Sequence, residues 1–369
     1  MLTRVIMLVD LDYFYAQCEE LRNPSLRDKP VVVCVYSGRT EESGAVSTAN
    51  YVARRYGVKS GMPIYLAKKK LENVDAAFLP VDDRLYADTS NKVMQILRDF
   101  ADEFEQVGID EAYLDVTKRT NGSSQDAKNL ANSIKNELRN QLGLTCSIGV
   151  GPNKLVAKIA ADEKKPDGLT IVEPSQVKGF LGPLPANRLL GVGTKTAEKM
   201  QSMGICTIAD LAENDVQELI STFGKNLGMY FHNAFLGVDN EPVREKGEAE
   251  SLSRIATLKQ DSHDLSVILE KTDELCLDLH SNVIEQKLTF RSVSIVVIAK
   301  NLSVYSRSRT LDNSTNSLDT MKKTVGELLE RFLTENPFEI RRVGVKLSGF
   351  SSIEKNQKQI TSFLGSSQQ

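Results

Sequence analysis

The sequence predicts a multidomain α+β protein. Its 369 residues suffice for about two to four folded units, at roughly 100–200 residues per domain. In both the first and the last part of the chain, short apolar runs typical of buried strands alternate with longer segments of helical periodicity. Between these parts, residues 171–237 are mainly helical, and residues 238–250 are polar without periodicity, which predicts a tether.

The first part of the chain has the element order of a βαβ unit. Its strands are predicted by apolar runs and its helices by the spacing of apolar residues. The predicted strands cover residues 5–9, 31–35, 112–116 and 146–150, and the predicted helices cover 85–104 and 125–142. Such units build a sheet that is backed by helices.

The last part of the chain is a second α+β unit. Helices are predicted over residues 264–284 and 317–335, and strands over 288–298, 304–310 and 340–348. Two βαβ-like halves predict a compact four- or five-stranded sheet with both helices on one face. The polar stretch from about residue 351 is expected to be loose.

Composition excludes several classes of protein. Charged residues make up 26% of the chain and hydrophobic residues 41%, and no apolar run approaches the ~20 residues that cross a bilayer, so we expect a cytoplasmic protein without membrane contact. The five cysteines are widely spaced without a CxxC pair, which argues against a zinc site or a disulfide framework. The net charge of −3 requires any nucleic-acid contact to be local and patterned.

Acidic residues stand at the ends of two predicted strands. Asp10 ends the first apolar run, and Asp110 and Glu111 come just before another strand. Three acids at strand ends are costly to desolvate unless a hard cation such as Mg²⁺ neutralises them, and two such ions serve phosphoryl transfer. Strand-end caps or salt-bridge partners are an equally good interpretation of the spacing. Asp12 shares the strand face of Asp10 and is a candidate ligand or a structural acid.

Five longer motifs are more specific. They are VDLDYFYAQCEE (9–20), SGAVSTANYVAR (43–54), GIDEAYLDV (108–116), GVGPNKLVAKIAADEKKPDG (149–168) and LLGVGTKTAEKMQSMGI (189–205). In this order they closely resemble the lesion-bypass DNA polymerases of the Y family, in the archaeal DinB (DNA polymerase IV) branch. The resemblance runs from residue 5 to about residue 350.

The resemblance implies a right-hand polymerase fold. Its ferredoxin-like βαβ palm would comprise residues 1–14 and 81–170, and its small fingers residues 15–80. A helical thumb would cover 171–237, with a helix-hairpin-helix motif at about 189–205. A linker at 238–250 would lead to a C-terminal α+β little finger at 251–354, followed by a flexible tail at 355–369.

The resemblance also implies roles for the acids. Asp10, Asp110 and Glu111 match the family's metal-binding carboxylates, and Leu11 matches the position that offers a backbone carbonyl. Two Mg²⁺ ions would be held there. Asp10 and Asp110 would bridge both ions, and Glu111 would orient the primer 3′-hydroxyl for attack on the α-phosphate of a deoxynucleoside triphosphate.

Further positions match the nucleotide site of the family. Tyr15 matches the steric gate that leaves no room for a ribose 2′-oxygen, although a core aromatic is the plainer interpretation. Thr48, Tyr51 and Arg54 fall at helical spacing and, with Lys165, would bind the triphosphate; such a helix face is otherwise merely solvated. Gly108 departs from the serine of most relatives, which puts a neighbouring hydroxyl contact in doubt.

Basic and glycine residues are the candidates for gripping primer–template DNA. The hairpin glycines Gly191 and Gly193 with Lys195 would hold a phosphate at a helix N-terminus, although Leu190 replaces a common proline. Basic residues of the C-terminal strands would follow the backbone, or else form a solvated charged face. These residues are Arg307, Arg309, Arg341, Arg342 and Lys346.

The tail resembles a peptide that docks on the sliding clamp, PCNA. Its anchors would be Gln357, Ile360, Phe363 and Leu364. We expect a monomer that performs low-fidelity translesion synthesis in DNA damage tolerance. Two alternatives remain, a two-metal enzyme related to nucleotidyl cyclases and a DNA-binding scaffold without catalysis.

Overall fold

The structure is a computed structural model that describes residues 2–245, 247 and 250–352. The chain divides into two compact units. The first holds most of the chain up to residue 245. The second holds the chain from residue 250 onward together with two short segments, Tyr36–Ala45 and Pro63–Tyr65.

Strands and helices alternate up to residue 171. In chain order they are β1 (Ile6–Leu11), α1 (Phe14–Arg22), β2 (Val31–Tyr36), β3 (Gly44–Ala49), α2 (Tyr51–Arg55), α3 (Ile64–Lys70), β4 (Ala77–Pro80), α4 (Asp83–Asp99), β5 (Glu103–Gln106), β6 (Glu111–Asp115), α5 (Ser124–Leu142), β7 (Cys146–Gly151), α6 (Lys154–Glu163) and β8 (Leu169–Ile171).

A five-stranded sheet in the order β5-β6-β1-β7-β8 is the centre of the first unit. Every residue of β1 is buried. Met7 and Val9 pack in one cluster with residues of α4 and α5, whereas Ile6 and Leu8 pack on the other side with Ala157 of α6. Because β1 is covered on both faces, its sequence is a continuous apolar run and not an alternating one.

A smaller sheet lies in the predicted fingers. Its strand order is β3-β2-β4. Val31 and Val33 of β2 belong to the same hydrophobic cluster as Val9 of the central sheet. The fingers therefore share hydrophobic packing with the palm through β2.

Residues 171–237 are mainly helical, as predicted. The helices are α7 (Val177–Leu181), α8 (Thr194–Ser202), α9 (Val216–Phe223) and α10 (Lys225–Phe235), with short 3₁₀ turns between them. They enclose a hydrophobic cluster of their own, which includes Met200, Leu219 and Phe231.

The described start of the predicted tether lies against the central sheet. Val243 is 4% exposed and packs with Ile6 and Leu8. The Leu155 amide donates to an Asp239 carboxylate oxygen at 3.1 Å. Because this segment is mostly polar, its composition did not indicate this docking.

The second unit is an antiparallel sheet with two helices. The elements are β9 (Ser251–Ser262), α11 (Leu265–Glu285), β10 (Leu288–Ala299), β11 (Val304–Thr315), α12 (Leu318–Glu335), β12 (Ile340–Ser348) and β13 (Ser351–Ser352). The strand order is β11-β10-β12-β9, and β13 pairs with β10. Both helices contribute to one hydrophobic cluster with one face of the sheet, and with β13 the sheet has five strands in the described part of the chain, within the predicted four or five.

Two predicted elements differ from the structure. The helix predicted over residues 85–104 ends at Asp99, and Phe104 lies in β5. The apolar spacing continued through the turn, so it could not show the helix end. Strand β9 was missed because its residues are mostly polar or half-buried.

The described residues contain no helix that is long and apolar enough to cross a membrane. All five cysteines are free thiols, and only Cys206 is exposed.

Candidate active site

The pairing of β1 with β6 brings the predicted acids together. Asp10 lies directly opposite Glu111 in the antiparallel register. The next amide, that of Leu11, donates to the Asp110 carbonyl at 2.9 Å. The three acids therefore converge because hydrogen bonds of the sheet fix the register, and Asp10 is only 7% exposed.

Two lysines contact these acids. The Lys158 ammonium donates to Glu111 and lies 3.3 Å from the second carboxylate, that of Asp10. The Lys165 ammonium lies 2.7 Å from the other Asp10 oxygen and 2.8 Å from Asp162. Sequence reasoning missed Lys158. Its signal was a lysine in the middle of the otherwise apolar run of α6.

Charge and burial perturb the acid cluster. Burial, followed by the charges of Asp10 and Glu111, raises the pKa of Asp110. Burial by itself lowers the pKa of Lys158, but the hydrogen bond to Glu111 and the charge of Asp10 outweigh it, so the pKa of this ammonium is raised. The site therefore holds more negative charge than its two lysines neutralise.

The donor chemistry of this cluster fits a divalent cation. Three carboxylates and the Leu11 backbone offer the hard oxygen ligands that Mg²⁺ prefers, and their mutual repulsion favours a cation between them. Within the described residues, however, no group of three acid, histidine or cysteine side chains converges closely enough to form a metal site. The Lys158 ammonium instead bridges two of these acids, Asp10 and Glu111.

Asp12 has a different role from Asp10. It is 1% exposed and accepts hydrogen bonds from Ser147 Oγ at 2.7 Å, Thr145 Oγ1 at 2.9 Å and the Asp167 amide at 2.8 Å. These contacts tie β1 to the turn that carries Lys165. The structural interpretation of Asp12 therefore accounts for its position.

Tyr15 lies over a second tyrosine. Its ring stacks on Tyr86 with centroids 4.1 Å apart and planes 10° from parallel. The Tyr86 hydroxyl donates to the buried Glu19 carboxylate at 2.7 Å, which fixes the lower ring. Tyr15 is therefore held from below and is not a fully buried core residue.

The predicted phosphate contacts come from β3, α2 and the turn after α6. Thr48 lies in β3 and not on a helix, so the predicted common helix face of Thr48, Tyr51 and Arg54 is wrong. Asn50 interrupts it: its side chain caps α2 by accepting from the Ala53 amide. The guanidinium of Arg54 lies 4.7 Å from the Tyr51 ring centre.

One cavity of about 480 Å³ collects these residues. The three acids and the four predicted phosphate contacts line it together with Tyr15 and Leu11. Lys158, Ser47 and Ser60 also line it, and sequence reasoning had not singled them out. Carboxylates together with cationic and hydroxyl donors in one cavity suit a ligand that brings both metal ions and phosphates.

Comparisons with known proteins decide the family. The model of the impB/mucB/samB family matches residues 9–162, its C-terminal domain model matches 249–362, and the model of the DNA polymerase-iota thumb domain matches 187–239. DNA polymerase IV of Nitrosopumilus maritimus is 48% identical over 98% of this chain and 99% of its own length. DNA polymerase IV 1 of Methanosarcina mazei is 46% identical over 98% of this chain and 99% of its own length.

This chain belongs to the Y family of DNA polymerases. Solved structures agree with this membership. A Y-family DNA polymerase chimera aligns with a TM-score of 0.89 at 36% identity, over 94% of this chain and 99% of its own. An insertion ternary complex of Dbh DNA polymerase aligns with a TM-score of 0.68 at 35% identity, over 93% and 98%. The chain is therefore a DNA-directed DNA polymerase that depends on divalent metal ions.

The polymerase has the predicted hairpin in its thumb. Gly191 has a φ of 80°, a left-handed conformation that favours glycine. Gly193 is the N-cap of α8, and Lys195 lies in the first turn of that helix. Leu190 is exposed. Among the described residues, no side chain caps the N-terminus of α8, so its first amides do not donate to a capping side chain.

The basic residues of the second unit divide between the two faces of its sheet. Arg307 and Arg309 share a strand face, as predicted, but this is the face on which α12 packs. Arg307 lies 5.5 Å from the Phe332 ring centre and pairs with Glu335 at 3.4 Å. Arg309 pairs with Glu327. Their charges are therefore already matched by α12.

The opposite face of this sheet is not covered by the two helices. Arg342 and Lys346 alternate with the buried core residues of β12 and lie on this open face, and Arg341 lies at a register irregularity beside Arg342. Arg342 Nε donates to Thr257 Oγ1 at 3.0 Å. The residues directly across from Lys346 and in the same row are all serines, namely Ser253, Ser294 and Ser308.

Two other predicted features have simpler outcomes. Gly108 stands close to the acids, since a Cβ at this position would lie 3.3 Å from an Asp110 carboxylate oxygen. The predicted clamp-binding anchors, Gln357, Ile360, Phe363 and Leu364, lie outside the described residues.

Proposed function

We propose that this polymerase performs lesion-bypass synthesis, extending a primer 3′-hydroxyl with deoxynucleoside triphosphates at two Mg²⁺ ions and releasing pyrophosphate. The observation that carries the proposal is the single cavity in which Asp10, Asp110 and Glu111 stand beside a set of phosphate donors. Neither group alone would be specific, but together they match both ends of a metal-bound triphosphate.

The acids would hold the metal ions. Asp10, Asp110 and the Leu11 carbonyl would hold both ions, and Glu111 would help to hold them and orient the primer 3′-hydroxyl. When bound there, the ions would activate the attacking oxygen and neutralise the leaving pyrophosphate. The register of β1 and β6, which holds Asp10 opposite Glu111, would help these acids to position the 3′-hydroxyl.

The hydroxyl and cationic donors of the cavity would bind the nucleotide. Thr48 and Tyr51 would donate hydroxyls to phosphate oxygens, and Arg54 and Lys165 would supply positive charge. Tyr15 would pack under the deoxyribose and exclude a 2′-oxygen. The stacked ring of Tyr86 supports this role, since it prevents Tyr15 from retreating.

Primer–template DNA would be gripped without sequence readout. The α8 amides beyond Gly191 and Gly193, with Lys195, suit one backbone phosphate. In the second unit we assign the phosphate contacts to the open face, where Arg342 and Lys346 stand among serine hydroxyls. Arg307 and Arg309 remain predicted contacts, but their ion pairs with α12 make them weaker candidates.

The tail would bind the sliding clamp, PCNA, through Gln357, Ile360, Phe363 and Leu364. A short plug of this kind holds an otherwise monomeric polymerase on DNA without affecting its chemistry. Deletion of residues 356–369 should therefore abolish clamp-stimulated synthesis and spare basal activity. Stimulation that survives the deletion would place the anchor elsewhere.

The two alternative functions account for fewer observations. A cyclase-like enzyme does not require the helix-hairpin-helix of the thumb or the basic open face of the second unit. A scaffold without catalysis does not require three acids in register beside phosphate donors.

Primer extension by the full chain with Mg²⁺ tests the proposal. We expect a primer to be extended by the nucleotide that the template specifies, on each of four templates that differ in the templating base. A second set of templates carries an abasic site at the same position, and extension across it tests lesion bypass. Absence of templated extension would reject polymerase activity, whereas extension that stops at the abasic site would reject bypass of that lesion alone.

A further inference from the structure

Lys158 places a positive charge between two acids of the cluster, Asp10 and Glu111. It projects from α6, and its side chain is 19% exposed. Its ammonium contacts Glu111 Oε2 and lies 3.3 Å from Asp10 Oδ2. It therefore connects acids on two strands, β1 and β6, that would otherwise repel each other across the sheet.

Lys158 differs from Lys165, the lysine already assigned to the triphosphate. Lys165 contacts the other Asp10 oxygen, Oδ1, and shares its charge with Asp162 outside the acid cluster. The two acids that Lys158 contacts, Asp10 and Glu111, would instead both bind metal. The two lysines thus engage both Asp10 oxygens, and Lys158 alone reaches Glu111.

The lysine contacts and metal ligation need the same oxygen atoms. Mg²⁺ binds through one or two carboxylate oxygens at about 2.1 Å, a distance at which an ammonium on the same oxygen is strongly repelled. Consistent with this competition, no three ligating side chains converge on a metal position within the described part of the chain. In this arrangement the Lys158 ammonium contacts the carboxylates that a bound metal ion would contact.

We propose that Lys158 is an internal counterion, which holds Glu111 and Asp10 in the metal-free polymerase and must leave Glu111 when a divalent cation binds. The inference rests on the proposed two-metal function. It makes Lys158 a positioning residue with two effects. Lys158 keeps the empty acid cluster from opening, and it weakens cation binding until the metal arrives together with the charge of a nucleotide.

Metal binding to the full chain, without DNA or nucleotide, tests this role. The probe is Mn²⁺, which takes the same oxygen ligands as Mg²⁺ and whose free form is measured by electron paramagnetic resonance. Lys158→Met removes the charge and keeps the length of the side chain, and we expect it to bind Mn²⁺ about tenfold more tightly. Lys158→Arg keeps the charge and should stay within about twofold of the wild type.

A matched control removes the same charge a short distance away. Lys164 is the C-cap of α6 and is exposed. Lys164→Met should leave Mn²⁺ affinity within about twofold of the wild type, because its charge is largely screened by solvent. Circular dichroism establishes that each variant is folded.

Thermal unfolding supplies a second measurement that does not depend on catalysis. Without metal, Lys158→Met should unfold at a lower temperature than the wild type, because the acids lose their counterion. Added Mn²⁺ should stabilise this variant more than the wild type. A merely structural lysine would give the lower unfolding temperature without the larger stabilisation by Mn²⁺.

Asp110→Asn separates the failure of this inference from the failure of the proposed function. If Asp110→Asn loses the Mn²⁺ site while Lys158→Met binds no more tightly than the wild type, the counterion role is overturned and the two-metal proposal stands. If Asp110→Asn binds Mn²⁺ as the wild type does, the ions bind elsewhere, and both are overturned.

Discussion

The catalytic cavity and the sheet of the second unit were both predicted from charged residues, but the predictions fared differently. In the cavity, acids and phosphate donors from β1, β3, α2, β6 and the turn after α6 converge as expected. In the second unit, the predicted basic residues divide between a helix-covered face and an open face. Residues at strand ends are placed by backbone pairing, whereas surface charges depend on which face the helices cover.

The largest expected effect tests the predicted role of the acids in the cavity. Asp10→Ala or Glu111→Ala should reduce the rate of primer extension by at least about 10³-fold, because each removes a ligand for the metal ions. DNA affinity should change little. The control is Asp99→Ala, an exposed acid at the end of α4. Extension by either acid variant near the control rate would remove that acid from catalysis.

Sugar discrimination sharpens the assignment of Tyr15. Tyr15→Ala should raise ribonucleotide incorporation relative to deoxynucleotide on the order of 100-fold, because space opens below the sugar. Tyr86→Leu should give a smaller loss of discrimination, about tenfold, since it removes the ring that supports Tyr15. Tyr86→Phe keeps the ring and serves as the control. If all three variants discriminated between the two sugars as the wild type does, Tyr15 would be only a packing residue.

Asp12→Asn tests whether a structural acid can position a nucleotide contact. The carboxylate accepts from two hydroxyls and the Asp167 amide. An amide side chain retains only one acceptor atom, so the turn that carries Lys165 should loosen. We expect the KM for the nucleotide to rise about tenfold while kcat changes less. A fall in kcat with unchanged KM would instead place Asp12 among the groups that act on the reacting atoms.

The smallest expected effect distinguishes the two faces of the second unit. Arg342→Ala and Lys346→Ala should each weaken DNA binding and lower the slope of log affinity against log salt by about 1. Arg307→Ala and Arg309→Ala remove charges that are paired with Glu335 and Glu327, and should change that slope less. Slope changes of the opposite order would assign the DNA contact to the helix-covered face.

Much of the fold follows from local patterns. Strand β1 is a continuous apolar run because both of its faces are covered, and α5 and α12 have clear apolar faces. The patterns failed where a polar segment is anchored by few residues. Val243 is the buried apolar side chain among the described residues of the predicted tether, and β9 is largely half-buried or exposed.

Residues of the candidate site that belong to a sequence motif could be predicted. Residues that reach the site only through packing of the helices could not. Thr48 was expected on a helix because its spacing to Tyr51 is helical, yet Asn50 begins that helix after it. Tyr86 and Lys158 were missed, since a tyrosine in α4 and a lysine in α6 match ordinary helix patterns. Packing places the Lys158 side chain in the cavity and the Tyr86 ring against Tyr15, which lines it.

The central claim is that the acids of this cavity bind the two metal ions of the reaction. Crystals of the full chain with primer–template DNA, a non-reactive deoxynucleoside triphosphate and Mn²⁺ test it by anomalous scattering. We expect two peaks about 4 Å apart, both within ligand distance of Asp10 and Asp110, and one of them beside Glu111. Peaks that are absent from Asp110, or that lie outside the cavity, would contradict the account.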